Sequence, residues 1–258
     1  MTNTRNLVVI PYGNKSLHSD WIFSNADRQF DVALLFYHSE ITHPKISESD
    51  PNYSLYKLLD FKWVMIQNLF VQNPDLLSRY EYFFFVDDDI EITKRDIELL
   101  FEWMTEYQLM MSQPVLSRDS FKSWKVLRRK NLSGIRYLSS VELMCPAMHR
   151  KAVEELLPTF NLNKSGWGID ILWGEMIRKK FGEKSIAVFD LLVAKHTKPV
   201  GKGELYDKLG KSAFEERDEI FMKYSITKQA IYKLSVPENN FINKLKSYFQ
   251  FRKKKNTP

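Results

Sequence analysis

Short apolar runs bounded by turn residues alternate along this chain with stretches whose apolar residues recur every three or four positions. That is the pattern of strands alternating with helices. Asn6-Leu7-Val8-Val9-Ile10 meets Pro11-Tyr12-Gly13, which predicts a buried strand entering a loop. Residues 31–37 predict a second strand, with room before it for a short helix. Past the loop at 44–51, Leu55, Leu58, Leu59, Lys62, Trp63, Ile66, Leu69 and Phe70 recur near a 3.6 period, predicting one helix closed by Asn73-Pro74. Residues 82–86 predict a third buried strand, ended by three carboxylates. Thr93 is placed as an N-cap with Asp96 three positions on, opening a helix to about Met110, and residues 112–117 predict another strand.

The second half is less regular. Residues 141–146 predict a strand and residues 150–157 a short helix stopped by Pro158. A helix is expected over 169–181, with Gly182 placed to end it. A strong strand over 185–194 precedes a glycine-rich loop around Gly201 and Gly203, and a polar helix follows at 212–224. No repeat and no linker interrupts the chain. The alternation predicts an α/β fold whose mainly parallel sheet is covered by helices on both faces.

Charge divides the chain in two. It has 258 residues and a formal charge of +6. Residues 239–258 hold Lys244, Lys246, Arg252, Lys253, Lys254 and Lys255 and no acid, so residues 1–238 are balanced. The body is therefore not a basic nucleic-acid platform, and no nucleic-acid partner is expected. In the tail, Phe241, Ile242, Leu245, Tyr248, Phe249 and Phe251 recur at helical spacing beside the cations. This suits either an interfacial helix on an anionic membrane or a terminal helix packed on the body. The expected division is a domain over 1–238 and a helical tail over 239–258.

No apolar run approaches the roughly 18 residues that span a bilayer, and Met1-Thr2-Asn3-Thr4-Arg5 leads straight into a strand-like segment rather than a leader. The single Cys145 forms no intrachain disulfide, so a cytoplasmic protein, peripheral at most to the inner face of the membrane, is expected. Aromatic residues, at 14%, exceed what a core usually needs.

Three segments carry candidate chemistry. Asp87-Asp88-Asp89 directly follows a predicted buried strand, where open α/β sheets form their ligand crevice. Adjacent carboxylates repel, so a cation or strong donors should accompany them, and alternation along an extended chain lets Asp87 and Asp89 share a face. Such oxygen ligands suit Mg²⁺ or Mn²⁺ beside a diphosphate; the plainer possibility is an acidic turn before the next helix. Ser165-Gly166-Trp167-Gly168-Ile169-Asp170 opens a helix. There Trp167 is placed to stack on a sugar and Asp170 to take a proton, or the two are a core aromatic and an ordinary first-turn acid. His196, just past a strand, is placed to complete a metal site or to serve in packing, with Lys198 or Lys202 near phosphate.

In combination these segments resemble a GT-A-fold glycosyltransferase, in which an aspartate-any-aspartate motif after a strand, a Gly-Trp-Gly segment with a downstream carboxylate, and a late histidine occur in this order. A closer resemblance is to a plant and bacterial family catalogued as domain of unknown function 707. It rests on Lys62-Trp63, Pro74-Asp75, residues 80–89, Ser112-Gln113-Pro114, Glu142 with Pro146, residues 166–170, and His196 with Pro199 and Gly201. The resemblance implies a Rossmann-type GT-A fold, a nucleotide-sugar donor with Mn²⁺ or Mg²⁺, and a glycan or lipid-linked acceptor. It implies Asp87, Asp89 and His196 at the metal, and Asp87 and Asp88 at the donor. Pro11, Tyr12 and Gly13 would lie at the nucleoside, Lys62 at the donor, Glu142, Trp167 and Gly168 at the acceptor, and Asp170 would be the base of an inverting transfer.

Two rivals stand beside this expectation. One is a binding protein of the same fold without turnover. The other is a haloacid-dehalogenase-type phosphatase, whose motif expects Thr or Val where Glu91 stands.

Overall fold

The computed structural model describes residues 5–23, 28–121, 124–130, 134–199 and 210–234. The tail at 239–258, expected to be helical on a membrane or on the body, and Gly201, Lys202 and Gly203 lie outside the described residues. Strands are β1 (Asn6–Tyr12), β2 (Asp31–Phe36), β3 (Ser54–Lys57), β4 (Tyr82–Phe85), β5 (Ile90–Glu91), β6 (Met111–Leu116), β7 (Ile135–Tyr137), β8 (Ala147–His149) and β9 (Ile186–His196). Helices are α1 (Ser19–Ile22), α2 (Lys62–Gln72), α3 (Asp75–Arg79), α4 (Lys94–Glu106), α5 (Arg150–Leu156), α6 (Ile169–Phe181) and α7 (Ala213–Lys223).

These strands join in one sheet ordered β3-β2-β1-β4-β8-β6-β9-β5, with β7 also on β9. The pairings set β1, β2, β3, β4, β6 and β9 in one direction and β5, β7 and β8 against them. The sheet is thus mainly parallel, as expected. Alternation along each strand feeds two cores. Leu7 and Val9 of β1, with Phe83 and Phe85 of β4, face α2, α5, α6 and α7; Val8, Ile10 and Phe84 face α1 and α4. Trp63 sits edge-on to Phe85, Phe160 and Trp173, with ring centroids 4.6–5.5 Å apart. Four of the six tryptophans (Trp21, Trp63, Trp103 and Trp173) are buried in this way. Much of the aromatic surplus is therefore core packing.

Two prolines stand where their missing N–H costs least. Pro11 falls beyond Val9, the last β1 residue paired to β4. Pro114 sits where β6 and β9 lose register, its partner being Phe189 while Val115 faces Val193. The resulting bulge carries Asp190.

Several sequence expectations need correction. The helix expected from Leu55 is two elements: Leu55 lies in β3, an edge strand parallel to β2, and α2 begins only at Lys62. Apolar spacing does not separate a short strand from a helix turn, and Leu59, counted on the apolar stripe, is 69% exposed. Asn73 does close α2, bonding to the Leu69 carbonyl through both its backbone N–H and its side chain. Residues 141–146 are a buried loop rather than a strand; the strand there is β8. The helix capped by Thr93 stops at Glu106, because Gln108 turns to φ 50° and sends the chain into β6. Among the described residues no helix is long and apolar enough to cross a membrane.

Candidate functional site

Because six strands share a direction, the segments leaving their carboxyl ends meet at one edge of the sheet. Gly13 follows β1, Tyr37 follows β2, Asp87–Asp89 follow β4 and His196 ends β9. The loop before β8 brings Glu142 to the same edge, since β8 runs antiparallel to β4.

The acidic triplet divides as its alternation predicts. Asp88 faces the β1 loop, accepting hydrogen bonds from the Ser16 hydroxyl at 2.5 Å and the Tyr37 hydroxyl at 2.7 Å, while its carbonyl accepts from the Leu17 N–H. Ser16 Oγ also accepts from the Gly13 N–H at 2.7 Å. Glycine suits this turn because a Cβ on residue 13 would lie 2.5 Å from the Tyr37 hydroxyl and 2.8 Å from the His38 ring, which would have to shift. Pro11 and Tyr12, assigned to the nucleoside with Gly13, are both buried within β1.

Asp87 and Asp89 turn the other way. Asp87 Oδ1 is 2.6 Å from Lys62 Nζ. That ammonium also donates to the carbonyls of Leu143 at 2.6 Å and of Phe85 and Met144 at 3.2 Å. Lys62, assigned to the donor, is thus engaged with protein oxygens, tying the end of β4 to the 141–146 loop. Burial pushes the Asp87 carboxyl up to about 6, with Asp89 adding to the rise against the pull of Lys62.

Asp89 Oδ1 lies 3.4 Å from His196 Nε2 and its Oδ2 3.8 Å from Lys198 Nζ. Burial pushes Asp89 up, but the hydrogen bond and charge of His196, with the charges of Lys198 and Lys62, outweigh it and hold the carboxyl below its ordinary value. For His196 burial lowers the imidazole, and Asp89, Asp87 and the Phe121 carbonyl together raise it above its ordinary value. Its Nδ1 is 3.1 Å from that carbonyl, which can only accept, so Nδ1 carries a proton and Nε2 is directed at Asp89. A histidine held by its other nitrogen on a carbonyl, with a carboxylate beside it, is a donor set that suits a divalent cation such as Mn²⁺. Among the described residues, however, no three His, Cys, Asp or Glu side chains gather as a metal cluster. Asp89 and His196 meet, and Asp87 is drawn to Lys62.

The second half of the site lies at the start of α6. Gly166 and Gly168 adopt φ of 80° and 85°, a region that disfavours other residues, and Gly168 packs against Arg217 of α7. The turn is held from α7 by Glu216, whose carboxylate accepts from the Ser165 N–H at 2.8 Å, and by Phe214, whose ring meets Trp167 edge-on at 4.8 Å. Trp167 is half-buried and Phe214 56% exposed.

Asp170 is 9% exposed. Its Oδ2 accepts from Trp124 Nε1 at 3.1 Å and its Oδ1 from the Ile171 N–H at 3.0 Å. Burial pushes this carboxyl up to about 6 in spite of those bonds. Glu142 is buried nearby: its Oε1 accepts from the Trp124 N–H at 2.9 Å, and its own N–H donates to Gln113 Oε1 at 2.6 Å.

Trp124 thus contacts both acids, yet the sequence expectations omit it. It lies in no periodic stretch or motif. Trp124 and Trp167 are half-buried where the other four tryptophans are buried, and both reach this site, but nothing in the sequence around Trp124 marks it. Two clefts, of about 320 and 1020 Å³, lie at the opposite sheet edge around Glu81 and Tyr82, away from these groups.

No curated protein matches the chain. A crystal structure of GalNAc-T7 with UDP, GalNAc and Mn²⁺ shares the fold at a TM-score of 0.60 and 12% identity, covering 84% of this chain and 48% of that one. The chain thus spans about half the length of that protein, and the likeness establishes a GT-A, Rossmann-like α/β fold. The family described as "Protein of unknown function (DUF707)" matches residues 1–139, more than half of the chain, and the chain belongs to that family.

Proposed function

We propose that this chain is a metal-dependent glycosyltransferase, moving a sugar from a nucleotide-sugar donor to a hydroxyl of a glycan or lipid-linked acceptor with inversion. The observation that carries this reading is the convergence at one sheet edge of Asp89 with His196 and of a raised, buried Asp170. The fold shared with GalNAc-T7, whose structure holds UDP and Mn²⁺, supports it.

In this reading Asp89 and His196 would hold the cation, with Asp87, now paired to Lys62, the further carboxylate beside it. The ion, when bound, offsets the negative charge growing on the departing diphosphate. Asp88, Ser16 and Tyr37 fix the loop at the nucleoside. The buried Tyr12 hydroxyl there has no hydrogen-bond partner among the described residues and is the kind of group a polar ligand satisfies. Trp167, with Phe214 beside it, supports the acceptor ring. Asp170 accepts the acceptor's hydroxyl proton as that oxygen bonds to the anomeric carbon and the bond from this carbon to the diphosphate breaks. A carboxyl near 6 is largely ionised at pH 7.5 yet more basic than an exposed aspartate, which suits a general base.

The Lys62–Asp87 pair favours a second reading, a nucleotide-sugar-binding protein without turnover, because an ammonium already sits on one of the three expected ligands. One experiment separates the two. Release of nucleoside diphosphate is measured over a panel of nucleotide sugars with Mn²⁺, with and without acceptors, for the native chain and Asp89→Asn. Mn²⁺-dependent release in the native chain, lost in Asp89→Asn, is expected. Binding without release supports the second reading, and neither binding nor release across the panel removes both.

A further inference from the structure

We infer that Trp124 is the positioning residue for the Asp170 carboxylate, fixing its orientation through a donor that cannot take its proton. This rests on the reading of Asp170 as the base. The geometry has two parts. The indole Nε1–H holds Asp170 Oδ2, and the backbone N–H of the same residue is held by Glu142, itself anchored to the buried Gln113 side chain. Trp124 is therefore fixed from behind while its ring nitrogen addresses the carboxylate. Asp170 is fixed in turn by the Ile171 N–H on Oδ1 and by the Ser140 hydroxyl, which donates to its backbone carbonyl.

The chemistry explains why the donor is an indole. A carboxylate oxygen offers about two acceptor positions, and the indole takes one of those on Oδ2, so it holds that oxygen without closing it to a proton. Lysine or arginine at this point would lower the carboxyl strongly and weaken it as a base, and histidine would compete for the proton. The indole N–H does neither. The groups that act on this carboxyl are the Trp124 indole and the backbone N–H groups of Ile171, Asp170 and Gly168, all of them neutral donors.

The test is Trp124→Phe in the full chain, which keeps a ring and deletes the donor. Loss of a bond to the ionised form should move the Asp170 titration upward. This is followed directly through the carboxyl ¹³C resonance in aspartate-labelled protein, assigned with Asp170→Asn. In transfer assays, kcat at neutral pH should fall about tenfold, the acid limb of the pH profile should move up, and KM for the donor should stay within about twofold. An Asp170 titration and a pH profile unchanged in Trp124→Phe overturn the inference. If that variant does not fold, the ¹⁵N resonance of the Trp124 indole in the native chain decides: it must follow the Asp170 titration and cease to do so in Asp170→Asn, and an invariant resonance overturns the inference. If the native chain transfers no sugar, the reading of Asp170 as a base fails, while both titrations still report whether Trp124 holds the carboxylate.

Discussion

Replacing Asp170 with asparagine should make the folded chain more stable at neutral pH. A carboxyl that moves from 3.8 to about 6 on folding disfavours the folded, ionised state. At about 1.4 kcal/mol for each tenfold change in proton affinity, the penalty is ~3 kcal/mol. Asparagine carries no charge to desolvate and still presents an oxygen to the Trp124 indole at nearly the same place. Allowing about 1 kcal/mol for the weaker bond to a neutral acceptor, the net gain is roughly 2 kcal/mol. The sign follows from the raised value. Below pH 3.8 the carboxyl is protonated in both folded and unfolded chains and carries no penalty; between 3.8 and about 6 the penalty grows, and above 6 it is complete. Urea unfolding of the two proteins at pH 4 and pH 8 measures this. The variant should gain roughly 2 kcal/mol at pH 8, several degrees in Tm, and almost nothing at pH 4. A variant equal to or weaker than the native chain at pH 8 would refute the claim that burial dominates at Asp170. A gain would mark a residue kept at the expense of stability, as functional groups often are.

Two further outcomes follow from packing. Arg136 and Asp190 are almost fully buried and joined at 2.8 Å, so Arg136→Met strands a buried charge and should lower stability by about 3–5 kcal/mol, whereas Arg136→Met with Asp190→Leu should recover most of it; denaturant titration reads both, and equal losses would refute the pairing. Gly13→Ala drives a methyl to 2.5 Å from the Tyr37 hydroxyl and 2.8 Å from the His38 ring, which should cost about 1–3 kcal/mol and weaken nucleotide-sugar binding by calorimetry; unchanged binding would detach this loop from the donor.

The helices and strands with strong local signals were legible in the sequence. Thr93 accepts from the Asp96 N–H as its spacing implies, Gly182 ends α6, and Asp88 parts company with Asp87 and Asp89 as strand alternation requires. What stayed hidden depends on tertiary partners. β3, β5 and β7 have two to four residues each, too few to set a period, and exist because β2 and β9 offer edges. The 141–146 segment has a strand's composition, yet it meets the end of β4 through only the Phe85 and Asp87 N–H groups on the Pro146 and Met144 carbonyls, while Lys62, some 80 positions away, takes the Leu143 carbonyl and shares that of Met144. Lys62 and Trp124 show the same limit within the site, because a residue's role there depends on what the fold sets opposite it.

The 141–146 loop also contains the chain's only cysteine. Cys145 is fully buried, and burial raises its thiol well above the ordinary value, so it is inert toward alkylating reagents while the loop stays closed. Modification then requires the segment that carries Glu142 and binds Lys62 to open. The rate at which a single thiol reacts becomes a clock for that opening, on native protein and without introduced probes. Any ligand that steadies this edge of the sheet would slow the clock, so ligands can be screened before a substrate is known.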